Sequence, residues 1–203
     1  MRVGILGGTF DPVHWGHLLI AEVAREALGL TQVLFVPAGD PPHKQQLKKS
    51  RAGQRRRMVE LAIADNPAFA LNSIDLDRPG PHYTIDMIQL IRSQYHLAAD
   101  DCFFIIGSDS LHDLPTWHRP DKLVTLCRLA IACRPGYQPD VAALEKTIPG
   151  LAGRLDWVET PLFDVSSTLI RAKVAQGRTI RYHVPDQVAR YIDEHQLYRA
   201  EVK

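Results

Sequence analysis

The chain has 203 residues, a formal net charge of +1, 45% hydrophobic residues and 23% charged ones. That length is enough to bury one full core without disulfides or metal ions to staple it. The near-neutral balance argues against a dedicated nucleic-acid or membrane-surface binder, since neither polyanion would be attracted to the chain as a whole.

In chain order, short β-branched or apolar runs alternate with helical patterns. VGIL (3–6), VLFVP (33–37), FALNSIDL (69–76), CFFII (102–106) and RLAIAC (128–133) read as buried strands, with RLDWVE (154–159) a weaker sixth. Helical periodicity falls near 16–28, 53–65, 84–95, 119–126 and 139–147, and two further helices near 168–176 and 185–195 close the chain. Such alternation predicts an α/β fold in one domain, 1–203, with a mostly parallel sheet of five to six strands and helices on both faces. The loops 38–52, 77–83 and 108–118 follow or lie near strand ends, where open α/β sheets gather ligands. Cys102, Cys127 and Cys133 are odd in number and sit in apolar runs, so they read as buried free thiols of a reducing compartment. No signal-peptide pattern opens the chain and no apolar run approaches the roughly 18 residues that span a bilayer. The cytoplasm is the expected location.

GILGGTFDPVHWGH (4–17) follows the first strand and opens the first helix. In that setting free backbone N–H groups and the positive end of the helix dipole bind phosphate. The glycines at 4, 7, 8 and 16 do not give G-x-G-x-x-G, and no Lys-Ser/Thr pair follows, so neither standard fingerprint fits. Gly7 and Gly8 would let a ligand approach the backbone, Asp11-Pro12 is a turn signal, and Gly16 leaves room beside the histidines. With a helix starting near Pro12 or Val13, His14 and His17 share the face of its first turn and point where an anion would sit. An imidazole offers an N–H when neutral and a charge when an anion stabilises it, which suits charge developing on a phosphoryl group. The same residues also read as a tight turn with a plain helix cap, while a metal site lacks a third ligand at suitable spacing.

DVSSTLIR (164–171) marks a second helix start, with Ser166, Ser167 and Thr168 as candidate N-caps ahead of Leu169 and Ile170. Arg171 stands where a capping box after Thr168 would carry Glu or Gln. A cation there opposes the dipole by a few tenths to about 1 kcal/mol. A bound triphosphate would offset it; so would an Arg171 that snorkels to solvent or pairs with Asp164.

These two segments carry a resemblance. GGTFDPVHWGH (7–17) resembles the T/H-x-G-H signature of the nucleotidyltransferase superfamily, with His14-Trp15-Gly16-His17 in the signature positions, and SSTLIR (166–171) resembles its S-x-T/S-x-x-R motif. PPHK (41–44), PHYTIDMI (81–88), FIIGSDSL (104–111), PTWHRP (115–120), ACRPGY (132–137) and the closing LY (197–198) are similar to the bacterial nicotinate-nucleotide adenylyltransferases, so the likeness runs through nearly the whole chain. It implies a Rossmann-like, doubly wound sheet. It also implies that ATP and nicotinate mononucleotide give deamido-NAD and pyrophosphate, with Mg2+, in NAD biosynthesis. Partners are then these two small molecules, with no nucleic acid and no membrane; the oligomeric state stays open, a homo-oligomer included.

Carried over residue by residue, the resemblance implies that His14 and His17 stabilise charge at the α-phosphate, with Gly8, Thr9 and Phe10 lining the turn. Ser167, Thr168 and Arg171 would hold the phosphates that leave. Gly107 and Asp109 would meet the adenosine. Lys44, Tyr83, Thr84, Trp117 and Arg134 would serve the acceptor nucleotide, Trp117 by stacking. Around Lys44 lies the densest basic stretch, Lys or Arg at 44, 48, 49, 51, 55, 56 and 57, which reads as a solvated loop and helix face before it reads as an electrostatic funnel. Competing readings are an adenylyltransferase for nicotinamide mononucleotide or phosphopantetheine, and a regulatory module that binds nucleotide without turnover.

Overall fold

The structure is a computed structural model that describes residues 1–39, 49–133, 136–137, 139–161 and 163–199. Six strands, β1 (Val3–Gly8), β2 (Gln32–Pro37), β3 (Phe69–Leu71), β4 (Cys102–Gly107), β5 (Arg128–Cys133) and β6 (Leu155–Glu159), form one sheet. All neighbours are parallel and the spatial order is β3-β2-β1-β4-β5-β6. Parallel neighbours need crossovers, and helices supply them: α1 (Trp15–Ala27), α2 (Ala52–Ile63), α3 (Ile74–Asp77), α4 (Thr84–Tyr95), α5 (Ser108–Asp113), α6 (Pro120–Leu126) and α7 (Val141–Thr147). After β6 the chain adds α8 (Ser167–Ala175) and α9 (Asp186–Glu194).

Because side chains alternate across a strand, each strand feeds two cores. Val3, Ile5, Leu34, Val36, Phe104 and Ile106 pack with Ile88, Ile91, Leu111 and Leu123 of α4, α5 and α6 on one face. Leu6, Val33, Phe35, Phe103 and Ile105 pack with Ala21, Met58, Ile170 and Val188 of α1, α2, α8 and α9 on the other. The central strands β1, β2, β4 and β5 are buried on both sides and read as continuous apolar runs, while the edge strands β3 and β6 are only partly buried and β6 gives the weaker signal.

Three expectations are corrected. The run 69–76 is a strand only to Leu71. Buried Asn72 then turns the chain, its side-chain oxygen accepting from the Ile74 N–H at 3.0 Å and its amide donating to Gln94 at 3.1 Å, and α3 follows. The first helix begins at Trp15 rather than near Pro12 or Val13, because His14 is extended (φ −147°, ψ 170°) and is itself the N-cap. Finally, the expected loop 108–118 begins as helix α5.

The chain winds outward from β1 to β3 and then returns to lay β4 on the other side of β1, so the order reverses between β1 and β4. Their carboxyl ends, Gly8 and Gly107, face a crevice of the kind that binds ligands in open α/β sheets.

Candidate active site

A cavity of about 290 Å³ opens at this switch point. Gly7, Gly8 and Thr9 line it from β1, Gly107 and Ser110 from β4 and α5, His17 and Ile20 from α1, and Tyr83, Thr84 and Trp117 from the far side.

Past β1 the backbone has no strand partner and must find other ones. Arg55, buried within α2, donates through Nη1 to the carbonyls of Thr9 (2.9 Å) and Ala38 (2.8 Å), tying the ends of β1 and β2 together. Phe10 takes a left-handed conformation (φ 49°) and is buried at 1% exposure, so it supports the turn from beneath, its ring edge on His17 at 4.9 Å between centroids. Asp11, also buried, accepts from the Ser50 N–H at 3.1 Å and from the Tyr198 hydroxyl at 2.6 Å. Burial, reinforced by the Asp11 carboxylate, pushes the Tyr198 pKa up, so the phenol stays a donor.

The histidines occupy the N-cap and third position of α1. The backbone N–H of His14 donates to His17 Nδ1 at 3.2 Å. A neutral His17 therefore carries its proton on Nε2. The two rings lie 3.7 Å apart at 30°, and His14 Nδ1 is buried without a partner. Burial lowers the His14 pKa to about 4; burial and then the neighbouring His14 lower that of His17. Both rings are neutral at pH 7 and present N–H groups rather than charges. Capping and anion binding are thus compatible here, because the cap consumes only one ring nitrogen of His17.

Helix α8 docks on the same turn. Ser166 is its N-cap, accepting from the Leu169 N–H at 3.1 Å. The Ser167 hydroxyl donates to the Pro12 carbonyl at 2.8 Å. Arg171 donates to the Asp11 carbonyl at 2.7 Å and to Thr168 Oγ1 at 3.2 Å, rather than pairing with Asp164. Those two bonds fix the guanidinium and leave three of its five N–H groups for an anion.

Toward the opposite side, Tyr83 caps α4 and stacks on His118 with centroids 4.0 Å apart, and Trp117 stands edge-on to Phe104 at 6.1 Å. Asp109 is exposed in the first turn of α5, where Ser110 rather than Asp109 lines the cavity. Lys44 and Arg134 lie outside the described residues. Asp75 and His82 line the cavity without having been expected there. Buried Asp75 accepts from the Gly39 N–H (2.9 Å) and from Arg78 (2.8 Å), and Arg78 also holds the carbonyls of Pro81 and Tyr83. A Cβ on Gly39 would collide with the His82 ring, which is why that position is glycine. Nothing in sequence spacing marks these two, nor Arg55, which hides in a basic run whose neighbours Arg56 and Arg57 pair with Glu60 at the surface.

Among the described residues no group of three or more His, Cys, Asp or Glu could hold a metal ion, and no helix is long and apolar enough to cross a membrane.

A doubly wound sheet that gathers N–H donors at its switch point defines a nucleotide-binding α/β protein. The cytidylyltransferase-like family model matches residues 5–173. The chain is 47% identical over 198 residues to a probable nicotinate-nucleotide adenylyltransferase of Thermomicrobium roseum, covering 98% of this chain and 92% of that one. It is 49% identical over 200 residues to one of Herpetosiphon aurantiacus, covering 98% and 99%. The chain belongs to the cytidylyltransferase-like family and, within it, to the nicotinate-nucleotide adenylyltransferases. Its fold is also that of Plasmodium falciparum nicotinic acid mononucleotide adenylyltransferase solved with NaAD, at a TM-score of 0.77 and 18% identity over 97% of both chains.

Proposed function

We propose that the chain transfers the adenylyl group of ATP to nicotinate mononucleotide, giving nicotinate adenine dinucleotide and pyrophosphate in NAD biosynthesis. The acceptor's phosphate oxygen attacks the α-phosphorus, the bond to the β-phosphate breaks, and pyrophosphate leaves with the electron pair. Such a reaction asks little covalent work of the protein; holding the groups in line and stabilising equatorial charge carry it. The observation that supports this reading most is His17, which lines the cavity with Nδ1 engaged by its own helix cap and Nε2–H left as donor. His14 stacks behind it and would bind the same phosphate. Arg171, Ser167 and Thr168 would hold the departing phosphates, with Gly8 and Thr9 leaving the backbone open to them.

Gly107 and Asp109 would take the adenosine, and Tyr83, Thr84 and Trp117 the acceptor, with Trp117 presenting a ring for the pyridine. Mg2+ would enter as Mg-ATP: the carboxylate lining the cavity, Asp75, is already engaged by Arg78 and the Gly39 N–H, so a hard cation would be held by phosphate oxygens and water. The three buried free cysteines support work in a reducing compartment, the cytoplasm.

The test is pyrophosphate release from Mg-ATP with nicotinate mononucleotide, its amide and phosphopantetheine in parallel. Nicotinate mononucleotide should be preferred, and His17→Ala should lose orders of magnitude in turnover with its circular dichroism unchanged. A tenfold preference for the amide would move the substrate assignment, and release with none of the three would remove the reaction.

A further inference from the structure

The turn that carries Phe10 and Asp11 is held almost entirely by side chains from distant elements, and one comes from the end of the chain. After α9 the backbone enters the left-handed region at Gln196 (φ 52°) and again at Tyr198 (φ 61°). Non-glycine residues stay in that region only when their surroundings over-determine them. Buried Leu197 sits in the core of this face, and the Tyr198 phenol is turned inward, 3.8 Å from Met58 Sδ, to reach Asp11 Oδ1. Asp11 is flanked by Phe10, itself left-handed and edge-on to His17, and passes its own carbonyl to Arg171. Tyr198 does not line the cavity.

We propose that Tyr198 is a positioning residue for the reaction: by holding the Asp11 carboxylate it keeps Phe10 in its left-handed conformation and the Asp11 carbonyl on Arg171. The chain's closing segment thereby sets both His17 and Arg171 without touching substrate. The carboxylate bonds to a hydroxyl at 2.6 Å and a backbone N–H at 3.1 Å, so losing the hydroxyl removes the shorter of these two anchors. The backbone bonds from Arg55, Ser167 and Arg171 remain, so the fold survives while the turn loosens.

The readout rests on the adenylyl transfer proposed above. Tyr198→Phe is compared with the unaltered protein and with Tyr191→Phe, which removes a hydroxyl from the same closing region. Initial rates are measured with ATP and nicotinate mononucleotide varied separately, well below each protein's unfolding midpoint. Tyr198→Phe should lose at least tenfold in kcat with the KM for the acceptor within twofold, while Tyr191→Phe keeps its kcat. A Tyr198→Phe kcat within twofold of the parent, or an equal loss in Tyr191→Phe, would overturn the proposal. Should the parent itself release no pyrophosphate, the reaction fails rather than the positioning, which is then decided by affinity for a non-hydrolysable ATP analogue: a fivefold weakening in Tyr198→Phe supports it and equal affinity overturns it.

Discussion

His14 and His17 show how one pair of side chains can cap a helix and still face a ligand. The His14 N–H takes one nitrogen of His17, and burial keeps both rings neutral. That neutrality has a stability consequence with a definite sign. An unfolded histidine protonates near pH 6.5, whereas folded His14 does so only near 4. Its neutral burial therefore carries no penalty above pH 6.5, and stability is lost progressively as pH falls from 6.5 toward 4, because the unfolded chain then binds the extra proton. At pH 5.0 the loss from this one group is about 2 kcal/mol, from 1.36 kcal/mol per pH unit. His14→Asn keeps a good N-cap without the titration. Urea unfolding at pH 7.5 and 5.0 should show the parent losing about 2 kcal/mol more than His14→Asn; parallel losses would contradict neutral burial of His14.

Among the elements, α8 is the one whose start matters most to the site. It carries no acid in its first turn, Ser166 is its cap, and its Ser167 and Arg171 grip the turn after β1. Ser166→Ala should cost about 1 kcal/mol in urea unfolding, as cap losses do, and a change below about 0.3 kcal/mol would show that α8 is fixed by its docking alone. The motif SSTLIR announced this helix, but with Ser166 rather than Thr168 as its N-cap, Arg171 falls at the fifth helical position, past the first-turn place where it would oppose the dipole. What the sequence left unread was that Arg171 is first oriented by a carbonyl 160 positions away. The shortened β3 and the delayed start of α1 were missed for a related reason: a side-chain bond from Asn72, and an extended His14, ended local patterns that apolar periodicity alone would have continued.

At the scale of the whole molecule, the alternation of strands and helices was legible because both faces of the central strands β1, β2, β4 and β5 are covered, so their interiors are apolar runs, whereas the edge strand β6 (LDWVE) carries Asp156 and Glu159 and reads more weakly. The reversal between β1 and β4 then places GGTFDPVHWGH beside FIIGSDSL without further instruction. The bracing shell was not legible. Arg55, Asp75 and Tyr198 act on backbone groups or side chains up to 187 positions away; the closing LY marked Tyr198, but no spacing shows which group its hydroxyl holds. The shell holds the turn after β1 beside the cavity that His17 lines, and the proposed reaction breaks the bond between the α- and β-phosphates of ATP there. Following ATP labelled at the α-phosphorus, in the presence of nicotinate mononucleotide, tests that most directly. The label should enter a dinucleotide while a γ-label leaves only as pyrophosphate; α-label recovered as ADP, or γ-label as free phosphate, would rule adenylyl transfer out.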